Sequence, residues 1–498
     1  MKECILAIDQ GTTGTTCLVV GMNSSPLGSV CILGRGYASV QQYFPRPGWV
    51  EHDLAQIWDA TTRAACEALE VSGCSGKAIG AIGITNQRET TGVWDDQGVP
   101  AHRAIVWQDR RTADRCRALA QEGKAEMFST RTGLLLDPYF SGPKIAWLLE
   151  EVDGLRQRAS AGRLRFGTID TWLLWKLTAG AVYATDATNA GRTLLFDIHE
   201  NRFDPELCAA MGLGPRHVFP DVRGCAEIYG HTRGLEWLPD GIPIAGVAGD
   251  QHAAMFGQAC VDPGMGKCTY GTGAFVLLNT GTRPVRSRRN LLTTIAWRLG
   301  EHTTYALEGS AFVAGGAIQW LRDGMGLFAS SDEVEALASQ VTSSEGVVFV
   351  PALTGLGAPH WRPDAKGMIW GITRGTTRAH VARAALEGIA WQICDLLEAM
   401  QDDIGAPLQV LRVDGGAAAN DLLLQFQADI LGVAIHRPTV LETTALGAAF
   451  FAACGVGMMS GSEALRQAWT LERAFRPTMA PRDVQERAQR WREAVSKA

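Results

Sequence analysis

The chain has 498 residues, with 46 Lys and Arg against 52 Asp and Glu and a net charge of −6. A length of this order divides into about three ordinary domains or two large ones, and 46% hydrophobic with 20% charged residues excludes a disordered, collagen-like or coiled-coil chain. The mild negative charge also excludes a nucleic-acid binder, which needs a basic face; the densest basic run, Arg286-Ser287-Arg288-Arg289, reads as a solvated loop. Glycine is in excess, with 56 residues where a usual share of roughly 7% would give about 35.

Twelve cysteines run from Cys4 to Cys454 with no CxxC pair, the pattern of reduced, mostly buried thiols in a cytoplasmic protein. Ten histidines without an HExxH leave no dedicated metal cage. The apolar run Cys4 to Ile8 ends at Asp9, too short for a signal peptide. The longest uncharged stretch, Thr443 to Ser462, is rich in Ala and Gly and reads as a tightly packed helix of a soluble protein, so no membrane insertion is expected.

In chain order, Ile5-Leu6-Ala7-Ile8-Asp9 and Cys17-Leu18-Val19-Val20 flank a Gly/Thr turn and predict a strand–turn–strand. Helical spacing follows at Leu54, Ile57, Trp58, Thr61, Ala65 and Leu69, with Asp53 as the N-cap, and Ala78 to Thr85 reads as a buried strand. Strands alternating with helices predict an α/β architecture. The turn pattern returns where Cys268-Thr269-Tyr270 meets Gly271-Thr272-Gly273 and Ala274 to Leu278. This weak repeat implies two related halves, 1–258 and 259–498, joined near Asp262-Pro263-Gly264. The longest helical pattern, Ala379 to Ile404, is expected to lay one face on a sheet.

Four segments could carry chemistry. From Asp9 to Thr16, glycine lets the backbone approach an anion, threonine hydroxyls add donors, and Asp9 could hold a hydrated magnesium ion; a plain Gly/Thr hairpin explains the same residues. No GxxxxGK followed by Ser or Thr occurs, and no GxGxxG follows a strand. Ile244 to Gly249 delivers Asp250 at the carboxyl end of a strand, where it could accept a proton or merely cap the turn. Val413-Asp414-Gly415-Gly416 turns into a helix and offers a side-chain-free surface to an adenine ring, or is a simple strand-to-helix turn. Arg88 and Glu89 supply a donor fork and acceptors for a polyol, provided the strand has become a loop there; otherwise they form a surface ion pair.

The ordered set Asp9-Gln10-Gly11-Thr12-Thr13, Ile84-Thr85-Asn86-Gln87-Arg88-Glu89-Thr90-Thr91, Asp137-Pro138-Tyr139-Phe140-Ser141-Gly142, Gly249-Asp250-Gln251, Tyr270-Gly271-Thr272-Gly273 and Asp414-Gly415-Gly416 resembles the FGGY carbohydrate kinase family over nearly the whole chain. Both family signatures are present, Tyr139 through Lys144 with Trp147 to Glu151, and Gly367 to Ile372 through His380 to Glu387. The second and third blocks are features of the glycerol-phosphorylating members. The resemblance implies an α/β fold of two ribonuclease-H-like domains of the actin/hexokinase type, closing on ATP, Mg²⁺ and glycerol in the cleft between them. It also implies a homodimer or homotetramer. Carried over by residue, Arg88, Glu89, Tyr139, Asp250 and Gln251 would bind glycerol between the apolar walls Trp107 and Phe275. Thr12, Thr13, Gly14, Thr16, Thr272, Gly315, Gln319, Gly416 and Asn420 would line the nucleotide site, with Asp9 on the metal through water. Asp250 would be the general base. Phosphorylation of another small polyol or a ketose, and a non-catalytic nucleotide-binding regulator, are the alternatives.

The chain departs from the family pattern twice. Thr16 and Gly14 stand where an arginine and a serine are common, which predicts altered nucleotide affinity. The segment Gly234 to Gly241 has neither the Gly-rich, Arg-containing loop that binds fructose 1,6-bisphosphate in some relatives nor the phosphorylatable His of others, so no inhibition by that bisphosphate is expected.

Overall fold

The apolar runs on either side of the first Gly/Thr turn pair as antiparallel strands, β1 (Cys4–Gln10) and β2 (Gly14–Met22), with Asp9 opposite Thr16. They belong to a computed structural model that describes residues 4–22, 30–214, 219–362 and 364–498. β3 (Val30–Ser39) extends the meander beside β2. Asp53 caps α1 (Leu54–Ser72) as predicted, its carboxylate accepting from Ala55 N at 2.8 Å. α1 crosses β3 so closely that a Cβ on Gly36 would lie 2.1 Å from the Ala64 carbonyl oxygen. β4 (Ile79–Asn86), buried along its length, and β5 (Pro243–Gly249) add in parallel, giving the order β5-β4-β1-β2-β3 with the short strand Gly230–His231 outside β5.

α2 (Asp250–Gly257) leads out of this sheet into a second one built the same way. β6 (Met265–Tyr270), β7 (Ala274–Gly281) and β8 (His302–Ala311) are its antiparallel neighbours, with the strand Leu292–Leu299, between β7 and β8 in sequence, outside β8. After the helices α3 (Gly315–Asp323) and α4 (Arg378–Ile404), β9 (Val410–Asp414) pairs in parallel with β6. The helix α5 (Asp421–Leu431) then leads to β10 (Ile435–Pro438), parallel to β9. Both hairpin turns close alike: Gly11 N–H donates to Gly14 O and Gly271 N–H to Gly273 O, each at 2.9 Å. The weak internal repeat of the sequence is therefore a duplicated sheet.

Two helices differ from expectation. α4 is buried on every side from Ala384 to Cys394, because helix α5 and the strand Val348–Val350 cover faces that the sheet leaves free. The uncharged stretch is not one helix: α6 (Thr443–Gly455) ends early, and a new helix begins at Gly461. α6 is late in the sequence yet packs on α2 and the first sheet, with backbones nearly touching. A Cβ on Gly447 would lie 1.8 Å from Ala253 O, and one on Gly455 2.2 Å from Ala245 O. Close packing explains those glycines. It does not explain Gly457, which has open space and φ 74° and makes the turn after the helix.

α2 and α6 form a shared layer between the sheets. Ile5 and Leu18 of the first sheet, Phe256 of α2, Phe451 of α6 and Leu277 of the second sheet belong to one core, with Phe256 stacked on Phe451 at 3.9 Å. No helix among the described residues is long and apolar enough to cross a membrane. Eleven of the twelve cysteines, all but Cys4, are free thiols, most of them buried. Arg288 and Arg289 of the basic run pair with Asp403 and Asp402 at the end of α4, so that run is fastened to the helix.

Candidate active site

β4 stops at Asn86, and the chain turns at Glu89, which holds φ 60°. That break lets consecutive residues face one centre. Arg88 and Glu89 are 2% and 1% exposed, which removes the surface ion pair as an explanation. Arg88 donates from Nη1 to Glu308 Oε2 at 2.6 Å and from Nη2 to Glu308 Oε1 at 2.9 Å, and its Nε lies 3.1 Å from Asp250 Oδ1. Arg192 donates from Nε to Glu89 Oε1 at 2.6 Å and from Nη2 to Glu308 Oε1 at 3.0 Å. Two guanidinium groups thus alternate with two buried carboxylates, an arrangement whose bidentate geometry offsets the cost of burying charge. Burial raises the Glu89 carboxyl more than Arg192 and Arg88 lower it. At Glu308 the balance reverses: burial opposes ionisation, but Arg192 and Arg88 together hold the carboxyl well below its ordinary range.

Asp250 is the first residue of α2 and stands at the open edge of this cluster, its side chain 29% exposed. β5 delivers it through Gly249, where a Cβ would lie 2.7 Å from Arg88 Cγ and 3.0 Å from His252 Nδ1. The glycine makes room for the aliphatic stem of Arg88. Next to Asp250, Gln251 Oε1 accepts from Lys267, a fully buried lysine of β6 that also donates to Thr269 Oγ1 at 3.0 Å. Burial lowers the Lys267 ammonium from its ordinary value.

Tyr139 comes from a loop gathered around a second buried lysine. Lys144 donates to the carbonyls of Pro138 at 2.7 Å, of Tyr139, and of Phe140 at 3.1 Å, and burial lowers it to about 8. The Tyr139 phenol is raised by burial and then by Glu89, so it remains a neutral O–H donor. Trp107 meets the Tyr139 ring edge-on at 5.6 Å, and its Nε1 donates to Thr12 Oγ1 at 2.8 Å, tying this wall to the first Gly/Thr turn. Phe275 lies on β7, partly buried.

That first turn holds Thr12, Thr13, Gly14 and Thr16, braced from below by Gln87, whose Nε2 donates to Gln10 Oε1 at 3.0 Å and Gly11 O at 3.3 Å. Burial, followed by the charges of Asp250 and Glu442, raises the Asp9 carboxyl to about 7. Oxygen donors that repel one another suit a hard divalent cation. Among the described residues no group of three or more His, Cys, Asp or Glu could hold a metal, so ligand oxygens and water would complete its shell.

In the second sheet, the start of α3 rests on the repeated turn: Ala314 and Gly316 N–H donate to Thr272 O at 2.8 and 2.9 Å, and Gly315 N–H donates to Gly271 O at 3.0 Å. A Cβ on Gly315 would come within 2.7 Å of Gly271 O. Gln319 is exposed on α3. Gly415, at φ 85°, lies against Tyr270 O and brings exposed Gly416 beside the same turn. Asn420 caps α5, its Oδ1 accepting from Leu423 N at 2.9 Å. The predicted residues therefore fall into a polar group around Arg88 and Asp250 and two turns of nearly bare backbone. Arg192, Glu308 and Lys267 were not anticipated. Glu308 is a lone charge in the apolar stretch Tyr305-Ala306-Leu307-Glu308-Gly309, and a charge in such a setting is retained where it is paired; the small and polar neighbours of Arg192 and Lys267 carry no comparable signal.

Residues 4–257 match the N-terminal domain of the FGGY family of carbohydrate kinases, and residues 266–456 match its C-terminal domain. A glycerol kinase of Myxococcus xanthus is 54% identical, with 99% of each chain covered. One of Alkalilimnicola ehrlichii is 52% identical, covering 100% of this chain and 98% of its own. The crystal structure of a Plasmodium falciparum glycerol kinase with ADP superposes with a TM-score of 0.91 at 34% identity, covering 99% of this chain and 98% of that one.

Proposed function

The chain belongs to the FGGY family of carbohydrate kinases, with the two-domain fold of the actin/hexokinase type, and from that premise we propose that it transfers the γ-phosphoryl group of ATP to a terminal hydroxyl of glycerol, giving sn-glycerol 3-phosphate. The observation that carries the reading is the Arg88–Glu89 break after β4, where a guanidinium and a carboxylate converge beside the half-open Asp250.

Arg88, Glu89 and Tyr139 bracket the hydroxyls of a small polyol, Gln251 adds a fixed amide, and Trp107 and Phe275 flank its carbon chain. Asp250 accepts the proton of the attacking hydroxyl while a bond forms from that oxygen to the γ-phosphorus. The bond to the β–γ bridging oxygen breaks and ADP leaves. Phosphoryl transfer of this kind needs positioning and charge stabilisation more than covalent help. Thr12, Thr13, Gly14 and Thr16 hold phosphates on the first turn. Thr272, Gly315, Gln319, Gly416 and Asn420 hold the nucleotide on the second sheet. The fit of Asp9 to a hard cation supports Mg²⁺ held there through water, where the ion would neutralise phosphate charge. Division into domains at 258/259, a homodimer or homotetramer, and a cytoplasmic location belong to the same reading; the free thiols support the last.

A coupled assay of ATP-dependent phosphorylation tests it, with glycerol, erythritol, xylulose and ribulose as acceptors. Glycerol is expected to be turned over fastest. Asp250→Asn should lower kcat by about 10²–10⁴. A variant with wild-type turnover would remove the assigned base, a ketose preferred over glycerol would reassign the substrate, and an inactive wild type would favour a regulator.

A further inference from the structure

Asp9, Thr16 and Tyr37 lie directly opposite one another on β1, β2 and β3. Directly paired residues share a face of the sheet, so the three side chains form one row. Gly36 packs on α1, so its neighbour Tyr37 faces the other way, toward α6. Arg35 lies on that same face and reaches across to Glu442, beside the first residue of α6, at 3.0 Å. The row therefore borders the space between the sheets and ends over the first Gly/Thr turn.

Tyr37 folds onto that turn. A Cβ on Gly14 would lie 2.5 Å from Tyr37 Oη, 2.6 Å from Cζ and 2.7 Å from Cε2. The phenol thus occupies the place that a side chain at position 14 would take. Yet the residue is 47% exposed, and among the described residues its hydroxyl makes one hydrogen bond, a long one donated to Thr13 O at 3.4 Å. Filling the space over Gly14 would take the ring alone; the hydroxyl has no strong partner inside the protein.

We propose that Tyr37 belongs to the nucleotide site, its hydroxyl donating to a phosphate oxygen of the bound nucleoside triphosphate. The inference rests on reading Gln10 to Thr16 as the ATP phosphate loop. Gly14 has no side-chain donor and Thr16 no charge, so the row offers phosphate only the Thr16 hydroxyl and this phenol. A phenol has one proton, and donation to phosphate replaces the long bond to Thr13 O with a charge-assisted one. Thr13 O keeps a donor afterwards, because it also accepts from Val40 N at 2.9 Å.

Calorimetric titration of the full chain with ATP, ADP and AMP in the presence of Mg²⁺ tests the inference in Tyr37→Phe, Gly14→Ser and the double variant Gly14→Ser/Tyr37→Ala. Tyr37→Phe is expected to weaken ATP and ADP about tenfold, the size of a lost hydrogen bond to a charged group, and to leave AMP and the KM for glycerol unchanged. Gly14→Ser alone meets the ring and should weaken ATP; the double variant, whose serine hydroxyl has the vacated space, should recover most of the affinity. Wild-type ATP and ADP affinity in Tyr37→Phe would overturn the proposal, as would an equal loss for AMP. Calorimetry reads Tyr37 even if the wild type fails to phosphorylate glycerol, a result that would sink only the assigned reaction. A wild type that binds no nucleotide overturns both.

Discussion

Arg88 in the first lobe and Glu308 in the second are joined by two parallel hydrogen bonds of 2.6 and 2.9 Å, each residue 2% exposed. The same guanidinium holds its Nε toward Asp250, so the orientation of the proposed glycerol fork depends on a carboxylate from the opposite sheet. Glu308→Gln leaves Arg192 with Glu89 alone and Arg88 with Asp250 at 3.1 Å and the more distant Glu89 at 4.0 Å. Removing one partner of a buried pair costs about 3–5 kcal/mol, so the thermal midpoint should drop by several degrees. The KM for glycerol should rise at least tenfold while the KM for ATP moves little. Steady-state kinetics and a melting curve check both, and equal shifts in the two KM values would mean that Glu308 supports the fold without aiming Arg88.

Gly249 predicts a second separation of effects. Its missing side chain is the space in which Arg88 Cγ and Cδ lie, at 2.7 and 2.8 Å from an added Cβ. Gly249→Ala must push that stem aside, at a cost of about 1–3 kcal/mol for overpacking. We expect kcat/KM for glycerol to fall tenfold or more with nucleotide affinity intact. Unchanged glycerol kinetics would show that Arg88 has room to yield.

Much of the frame was legible because it rests on local rules. The strand–turn–strand at both hairpins, the Asp53 cap and the span of α4 follow from period, turn residues and capping. Arg88, Glu89 and Asp250 were legible as charges at strand ends, but a surface ion pair and a turn cap fitted the same residues, and it was the resemblance that drew them to one centre. What was not legible depends on contacts across the molecule. Nothing near Glu308 in sequence announces Arg88, 220 positions earlier. Nothing near Gly447 announces that its helix will lie on Ala253 of α2. Likewise nothing near Tyr37 in sequence announces that the register sets it against Thr16 and over Gly14.

Thr16 faces Asp9 on one side and Tyr37 on the other. An arginine at 16 would pair with Asp9 and extend toward the phosphates. Thr16→Arg is expected to lower the KM for ATP about three- to tenfold, the worth of one partly solvated charge-assisted contact. An unchanged KM for ATP would show that position 16 does not meet the nucleotide.

Asp170 predicts a pH dependence away from the site. It is fully buried, with Thr168 Oγ1 donating to Oδ1 at 2.5 Å and Thr185 Oγ1 donating to Oδ2 at 2.6 Å. Burial, followed by the charge of Asp186, raises its carboxyl to about 7. In the unfolded chain the same group loses its proton near pH 4. Between about pH 4 and 7 the native state therefore holds a proton that the unfolded state has released. Asp170's contribution to stability is fully present below pH 4 and is lost as pH rises through 7, at up to about 1.4 kcal/mol per pH unit. His52, lowered to about 4 chiefly by burial, works in the opposite direction but equally in wild type and variant. The thermal-midpoint advantage of wild type over Asp170→Asn should thus shrink from pH 4 to about pH 7 and level off above it. A gap that stays constant between pH 4 and 7 would mean that Asp170 is ionised throughout, its burial compensated by the two threonine hydroxyls.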